Sequence, residues 1–279
     1  MVLAGPPAAS LRAGRRIDYA HPVPGFVDQA LVVRVWDWSE TSQTVSLFCQ
    51  ERGLLRAVAK GARREKGRFS GGLDLLTRGE VVGIQKSGAE MATLTDWTLQ
   101  EIFWAGRNDL KRHYTGLYIL DTIQRLLSEA DPHPKLWNQA LKTLRRMEEP
   151  DVDVGAALLE FQWILLVETG HRPDVRGGRF ADTETMGFDP QAGGLISDPG
   201  AGARDNGPWR VRLETVRLMR SLEAPASSEA DSPEAGESGD AVDRANRLLA
   251  TYIGWLLGRE PPVLKLLFPS GTSPRVRKT

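Results

Sequence analysis

Along the first hundred residues apolar and polar positions alternate; beyond them they recur at helical spacing. Ala30-Leu31-Val32-Val33-Arg34-Val35-Trp36 reads as a first strand, and Asp37 to Ser42 as a polar turn that contains Trp38. Thr44 to Cys49 reads as a second strand, with Val45, Leu47 and Cys49 on one face. Gln50 to Gly53 supplies a tight turn, and glycine takes a positive φ there without steric cost. Leu54 to Lys60 is the third strand, Gly79 to Gln85 the fourth and Met91 to Trp97 the fifth. Lys86-Ser87-Gly88-Ala89 is the hairpin between the last two. So many short strands in so little chain predict a closed sheet, because an open one would leave two bare edges. The five-stranded OB barrel and an SH3-like barrel both fit this pattern.

From Asp109 the period is helical, with Leu110, Tyr114, Leu117, Tyr118, Leu126 and Leu127 recurring on one side. Pro132 to Met147 is a second helix, with Leu136, Ala140, Leu141 and Leu144 inward. Val154 to Thr169 is apolar around most of its circumference, which predicts a central helix ended by Gly170. His171 to Pro208 is rich in glycine, with a small hairpin expected around Gly193-Gly194. Trp209 to Leu222 returns to a helical pattern, and Val242 to Leu257 is a last amphipathic helix. Leu266-Leu267-Phe268 are expected to dock after it. The tract between those helices is rich in serine, glutamate, alanine and proline; it cannot build a core and is expected to be disordered.

Charge changes the picture locally, not globally. The 279 residues carry 36 Lys plus Arg against 36 Asp plus Glu, so net charge argues for no polyanionic partner. The segregation does: Arg52 to Arg78 is basic, and Glu223 to Asp243 is acidic. At the centre of the basic stretch a strand runs into Lys60-Gly61-Ala62-Arg63-Arg64-Glu65-Lys66-Gly67-Arg68-Phe69. Cations on a strand–loop junction suit a phosphate backbone better than a small substrate. The single cysteine, Cys49, excludes an internal disulfide framework and fits a reducing cytoplasm. No apolar run has the length of a membrane span, and Met1 to Gly25 lack a signal-type apolar core.

Catalytic chemistry finds no constellation. His21, His113, His133 and His171 have no metal-ligand spacing, and Cys49 falls on an inner strand face as a small hydrophobe. His133, between prolines at a helix start, reads as a surface residue. The glycines Gly61, Gly67, Gly71 and Gly72 make no phosphate-binding Walker pattern. Glu80 and Asp96 are the barrel carboxylates that a nuclease reading would need. Trp36 continues the strand alternation, which fits a core position, whereas Trp38 fits corner packing or base stacking.

On these residues the chain resembles a known family. Ala30 to Phe69 is similar to the N-terminal domain of the bacterial recombination mediator RecO family. The turn Trp38-Ser39-Glu40-Thr41-Ser42, the strand and turn Val45 to Gly53, and above all Lys60-Gly61-Ala62-Arg63-Arg64 with Lys66 and Arg68 carry the likeness. Leu73 to Leu94 resembles the remaining barrel strands, and Leu110 to Leu127 the start of the family's helical domain. Many members hold zinc with four cysteines after the central helix. Here the frame persists as Glu168 to Pro173, Phe188-Asp189-Pro190 and Gly193-Gly194-Leu195, without a cysteine. His171 with Asp174, Asp182 or Asp189 is a poor substitute for thiolates.

The expectation is therefore an α+β chain. It has a disordered extension (1–24), a five-stranded OB-fold β-barrel (25–102) and an α-helical domain (103–279). The helical domain carries a degenerate, cysteine-free zinc-finger-like insertion (171–208) and a disordered acidic linker (223–240). The resemblance implies a non-enzymatic recombination mediator without cofactor or metal, cytoplasmic and nucleoid-associated. It would bind single- and double-stranded DNA, anneal complementary strands, and work with RecR and single-strand-binding protein to place RecA on gaps. The alternative is an OB or SH3-like nucleic-acid-binding scaffold without annealing activity. DNA contacts are expected at Arg34, Arg56, Lys60, Arg63, Arg64, Lys66 and Arg68. Annealing needs a second basic surface, for which Arg210, Arg212, Arg217, Arg220, Arg275, Arg277 and Lys278 are available. The resemblance implies capture of the partner protein's acidic tail on the helices, and Lys111, Arg112 and Arg125 lie on the matching element.

Overall fold

The computed structural model describes residues 25–37, 39–63, 69, 73–105, 109–176, 184–200, 207–223 and 239–268. Five strands open the chain: β1 (Gly25–Asp37), β2 (Gln43–Cys49), β3 (Gly53–Ala59), β4 (Thr77–Ile84) and β5 (Ala92–Ile102). They close into a barrel in the order β1-β2-β3-β5-β4, with β1 also pairing β4. Only β3–β5 is parallel. This Greek-key closure is the OB arrangement and decides against the SH3-like alternative. The barrel core holds Phe26, Ala30, Val32, Val45, Leu47, Cys49, Val81, Leu94 and Trp97. Two inward glycines make room for its rings. A Cβ on Gly83 would lie 2.5 Å from the Phe26 ring, and one on Gly79 would lie 2.8 Å from Trp97. Cys49 is fully enclosed, and burial pushes its thiol far above the ordinary range.

Among the described residues five helices of two turns or more follow: α1 (Leu110–Leu126), α2 (Pro134–Arg146), α3 (Val154–Glu168) and, after a small sheet, α4 (Leu213–Ser221) and α5 (Gly239–Leu256). The one-turn α6 (Leu264–Leu267) comes last. Asp153 caps α3 by accepting from the N–H groups of Gly155 and Ala156, and Gly170 ends it at φ +76°. As the apolar composition of α3 predicts, Leu158, Leu159, Phe161, Trp163, Leu165 and Leu166 are all buried. Its one polar core residue, Gln162, accepts from Tyr118 Oη at 2.8 Å and donates to Asn246 Oδ1 at 2.7 Å. Asn246 in turn donates to the Gly155 carbonyl, so α1, α3 and α5 share a satisfied polar network.

The sheet contains β6 (Thr185–Asp189), β7 (Gly194–Ile196) and β8 (Trp209–Arg212), in the order β7-β6-β8. The expected hairpin is present, but Trp209 to Arg212 is a strand and not the start of a helix. Its alternation of buried Trp209 and Val211 with exposed Arg210 and Arg212 is a two-residue period within a helix-like composition. The rings of Phe188 and Trp209 stack 6.0 Å apart, and Phe188 meets Tyr252 of α5 edge-on, seating the sheet on the helices.

Four further expectations are corrected. Glu223, assigned to the acidic linker, is packed: it pairs with Arg172 at 3.0 Å and Arg176 at 2.8 Å. Gly239 and Asp240 begin α5. Leu110 and Leu266 are exposed, because the helix faces against the core are set by Thr115, Ile119, Ile123 and by Leu264, Leu267 instead. His133 is no surface residue: its side chain is only 12% exposed and lies 3.5 Å from Asp131.

Barrel and helices are welded. Leu31, Phe48 and Leu54, on the outer face of β1, β2 and β3, belong to the helical core. Phe48 meets Trp137 edge-on at 5.5 Å. The β2–β3 turn docks on the α1–α2 loop so closely that a Cβ on Gly53, at φ +66°, would sit 2.0 Å from the Asp131 carbonyl oxygen. Glu101 of β5 bridges Arg78 of β4 and Arg145 of α2 at 3.1 and 2.7 Å, and these contacts hold its carboxyl below the usual range.

Candidate nucleic-acid interface

The helices cover only one end of the outer β1-β2-β3 face. Beyond the Leu31–Phe48–Leu54 row the helical core ends and cations reach solvent over a buried middle strand. The next row across the strands is Arg34–Ser46–Arg56, and the one after it is Trp36–Thr44–Val58. Arg34, Arg56 and, at the end of β3, Lys60 are exposed. The Arg34 guanidinium lies 4.9 Å from the Trp36 ring centre.

A β-bulge creates this face. The β1–β2 register shifts between Val32 and Arg34. Before the shift Ala30 and Val32 point into the barrel; after it Val35 does. Val33 turns to the helical core and Arg34 to solvent. Unbroken alternation would have put Arg34 and Trp36 inside with Val32, so the expected core position of Trp36 is corrected by this one residue. The hydroxyls of Thr44 and Ser46 lie buried under this cationic layer without a hydrogen-bond partner.

The basic loop is tethered at both ends. On its incoming side the Arg63 N–H donates to the Thr41 carbonyl, the Gly61 N–H to Ser42 Oγ, and the Arg63 guanidinium pairs with Asp37. On its outgoing side Phe69 and Leu73 plug into the barrel core. Arg64, Lys66 and Arg68 lie outside the described residues, as does Trp38. Arg56 also has an acidic neighbour, Glu129 at 3.8 Å. Arg34, Arg56, Lys60 and Arg63 are thus placed on one surface by three strands and a loop. Glu80 and Asp96 stand opposite Thr98 and Val82 respectively, not opposite each other.

The other expected cations divide. Arg210 is gripped by Asp198 and Thr185, and Arg220 donates to the Val175 carbonyl at 2.6 Å. Arg212 and Arg217 are exposed. Arg275, Arg277 and Lys278 lie outside the described residues. Lys111 and Arg112 are near the start of α1 and Arg125 near its end, about 20 Å apart at the helical rise. Arg112 ties α1 to the Met147 and Pro150 carbonyls, and Arg125 pairs with Asp121 at 2.8 Å. Beside Arg125, sequence reasoning missed a groove of about 330 Å³ where Val33, Arg34, Leu75, Leu117 and Val263 meet. Nothing in the local pattern marks it, because its walls come from four distant segments.

Comparison with known proteins agrees with this architecture. Residues 26–103 match the family described as recombination protein O N terminal, and residues 107–265 match recombination protein O C terminal. The chain belongs to the RecO family. It is 37% identical over 144 residues to a DNA repair protein RecO of Rhodopirellula baltica, covering 52% of this chain and 53% of that one. It is 29% identical over 239 residues to the RecO of Myxococcus xanthus, covering 84% and 93%. A Nocardioides RecO is 29% identical over 242 residues, covering 84% and 95%. The match therefore spans about half of the first RecO relative and nearly all of the other two. The two family segments meet between residues 103 and 107, where β5 gives way to α1. Among the described residues no helix is long and apolar enough to cross a membrane.

Proposed function

We propose that this chain is a recombination mediator of DNA repair that holds single-stranded DNA on its barrel and promotes pairing with a complementary strand. The observation that carries this reading is the exposed pair Arg34 and Arg56, in one row across the buried Ser46, with Lys60 and Arg63 beside it. Arg34 and Arg56 stand on strands and Lys60 and Arg63 in the turn after β3, and cations so placed favour backbone holding without sequence preference. One aromatic ring, Trp36, lies on the described part of this face. That is sparse for a module that sequesters bases by stacking. A protein that displaces condensed counterions lets two strands approach, and this requires neither turnover nor cofactor.

Membership of the RecO family supports the wider setting: duplex binding, RecR and single-strand-binding protein as partners, and RecA placed on gapped DNA at the nucleoid. An acidic, aromatic-ended tail needs an apolar pocket beside cations, and the groove between Arg34 and Arg125 has that chemistry. Calorimetry with the tail peptide should register binding that Arg125→Ala weakens. The decisive assay for the function is quenching between two labelled complementary oligonucleotides, with chelator and without nucleotide. Pairing faster than in buffer supports annealing. Tight binding with slowed pairing would leave a plain binding module.

A further inference from the structure

The sheet on the helical domain carries a second cationic feature, remote from the barrel. Strand β8 points Trp209 and Val211 into the core and Arg210 and Arg212 outward, and α4 follows directly with Arg217 one turn in. The three arginines line one polar-walled cleft of about 740 Å³. Its size lies within the range of about 300–1,000 Å³ typical of ligand sites.

The arginines are not equivalent. Arg210 is held in place by both oxygens of Asp198, at 3.0 and 2.9 Å, and by Thr185 at 2.9 Å. That grip lowers the Asp198 carboxyl to about 2, so the pair stays charged at any working pH. Of the cleft's acids, Glu214 is taken by Arg244 at 2.7 Å. Arg212 and Arg217 form no ion pair among the described residues and are exposed. Two uncommitted guanidinium groups therefore share the cleft with one that is fixed. The platform is anchored in the core, since Phe188 stacks on Trp209 beneath it and meets Tyr252 edge-on.

We propose that this cleft is a second nucleic-acid backbone site, in which Arg212 and Arg217 bind phosphates of a second strand. The inference rests on the reading that the barrel holds the first. An extended strand suits it better than a compact anion, because the cations lie along a strand and a helix flanked by Glu184 and Glu214 and form no closed cage. Arg220, turned inward to the Val175 carbonyl, takes no part.

The test uses the intact chain preloaded with one labelled oligonucleotide, to which a non-complementary second label is added. R212A/R217A should bind the first strand within about twofold of wild type and the second about tenfold more weakly, its salt slope falling by about 1.4, or 0.7 for each lost contact. R212K/R217K should restore capture, which separates charge from a folding defect. Unchanged second-strand capture in R212A/R217A overturns the proposal. So does a cleft that protects Arg212 and Arg217 in inorganic phosphate alone and captures no second strand. First-strand binding left intact by R34A/R56A/K60A would instead reject the barrel reading while leaving the cleft testable by R212A/R217A.

Discussion

The same three strands present two outer half-faces with opposite fates. At one end Leu31, Phe48 and Leu54 lie under the helices; in the next row Arg34 and Arg56 lie open on either side of the buried Ser46. The strands are continuous and the backbone pairing is alike, so the difference is made by side chains and one bulge. The lesson is that the helical domain is the barrel's structural partner at one end and leaves the remainder of the face free for a ligand.

Substitutions can break this contrast. The largest effect should come from Phe48→Ala. Phe48 is fully buried against Trp137, so its loss should cost about 3–5 kcal/mol in denaturant unfolding. A loss below about 1 kcal/mol would mean that the barrel stands without the helices. Gly53→Ala comes next. The positive φ and the 2.0 Å approach to Asp131 leave no space, so a loss above about 1 kcal/mol is expected. On the open half-face the balance reverses. R34A/R56A/K60A should unfold within about 0.5 kcal/mol per site of wild type. It should lower the single-strand salt slope by about 2 units, measured by fluorescence anisotropy.

These strands were readable from alternation, and the central helix from its apolar girth. The bulge was not, because Leu31, Val32 and Val33 are all buried, on one side or the other, and a continuous apolar run has no phase. Without the bulge the identity of the basic residues on the face was legible, but the outward placement of Trp36 was not. The Arg34–Arg125 groove and the Arg212–Arg217 cleft needed tertiary folding to appear. Glu223 was hidden by its neighbours' low complexity, although its partners Arg172 and Arg176 sit in ordinary sequence.

Two smaller effects sharpen the comparison. Glu101 is held below its unfolded pKa, so its contribution is present above the ordinary glutamate range and is lost as pH falls through the folded value. Glu101→Gln should therefore flatten the acid side of the stability profile and leave DNA binding unchanged at neutral pH. Smallest of all, Asp37→Asn and Glu129→Gln should each tighten DNA binding about twofold, since each removes an exposed competitor for a cation of the open face. Glu40→Gln, an exposed acid on the same turn with no ion pair among the described residues, controls for charge alone. Equal gains from all three would reduce the effect to long-range field.

The enclosed Cys49 gives the barrel its own clock. A thiol that is both walled off and kept protonated cannot meet an alkylating reagent unless β2 leaves the sheet. As the chain holds one cysteine, the labelling rate reads a single event, the opening of the barrel, with no background from other sites. Because the barrel core and the welded row Leu31–Phe48–Leu54 alternate along the same strands, that rate also times the parting of barrel from helices. A strand of DNA lying across β1 to β3 would slow it.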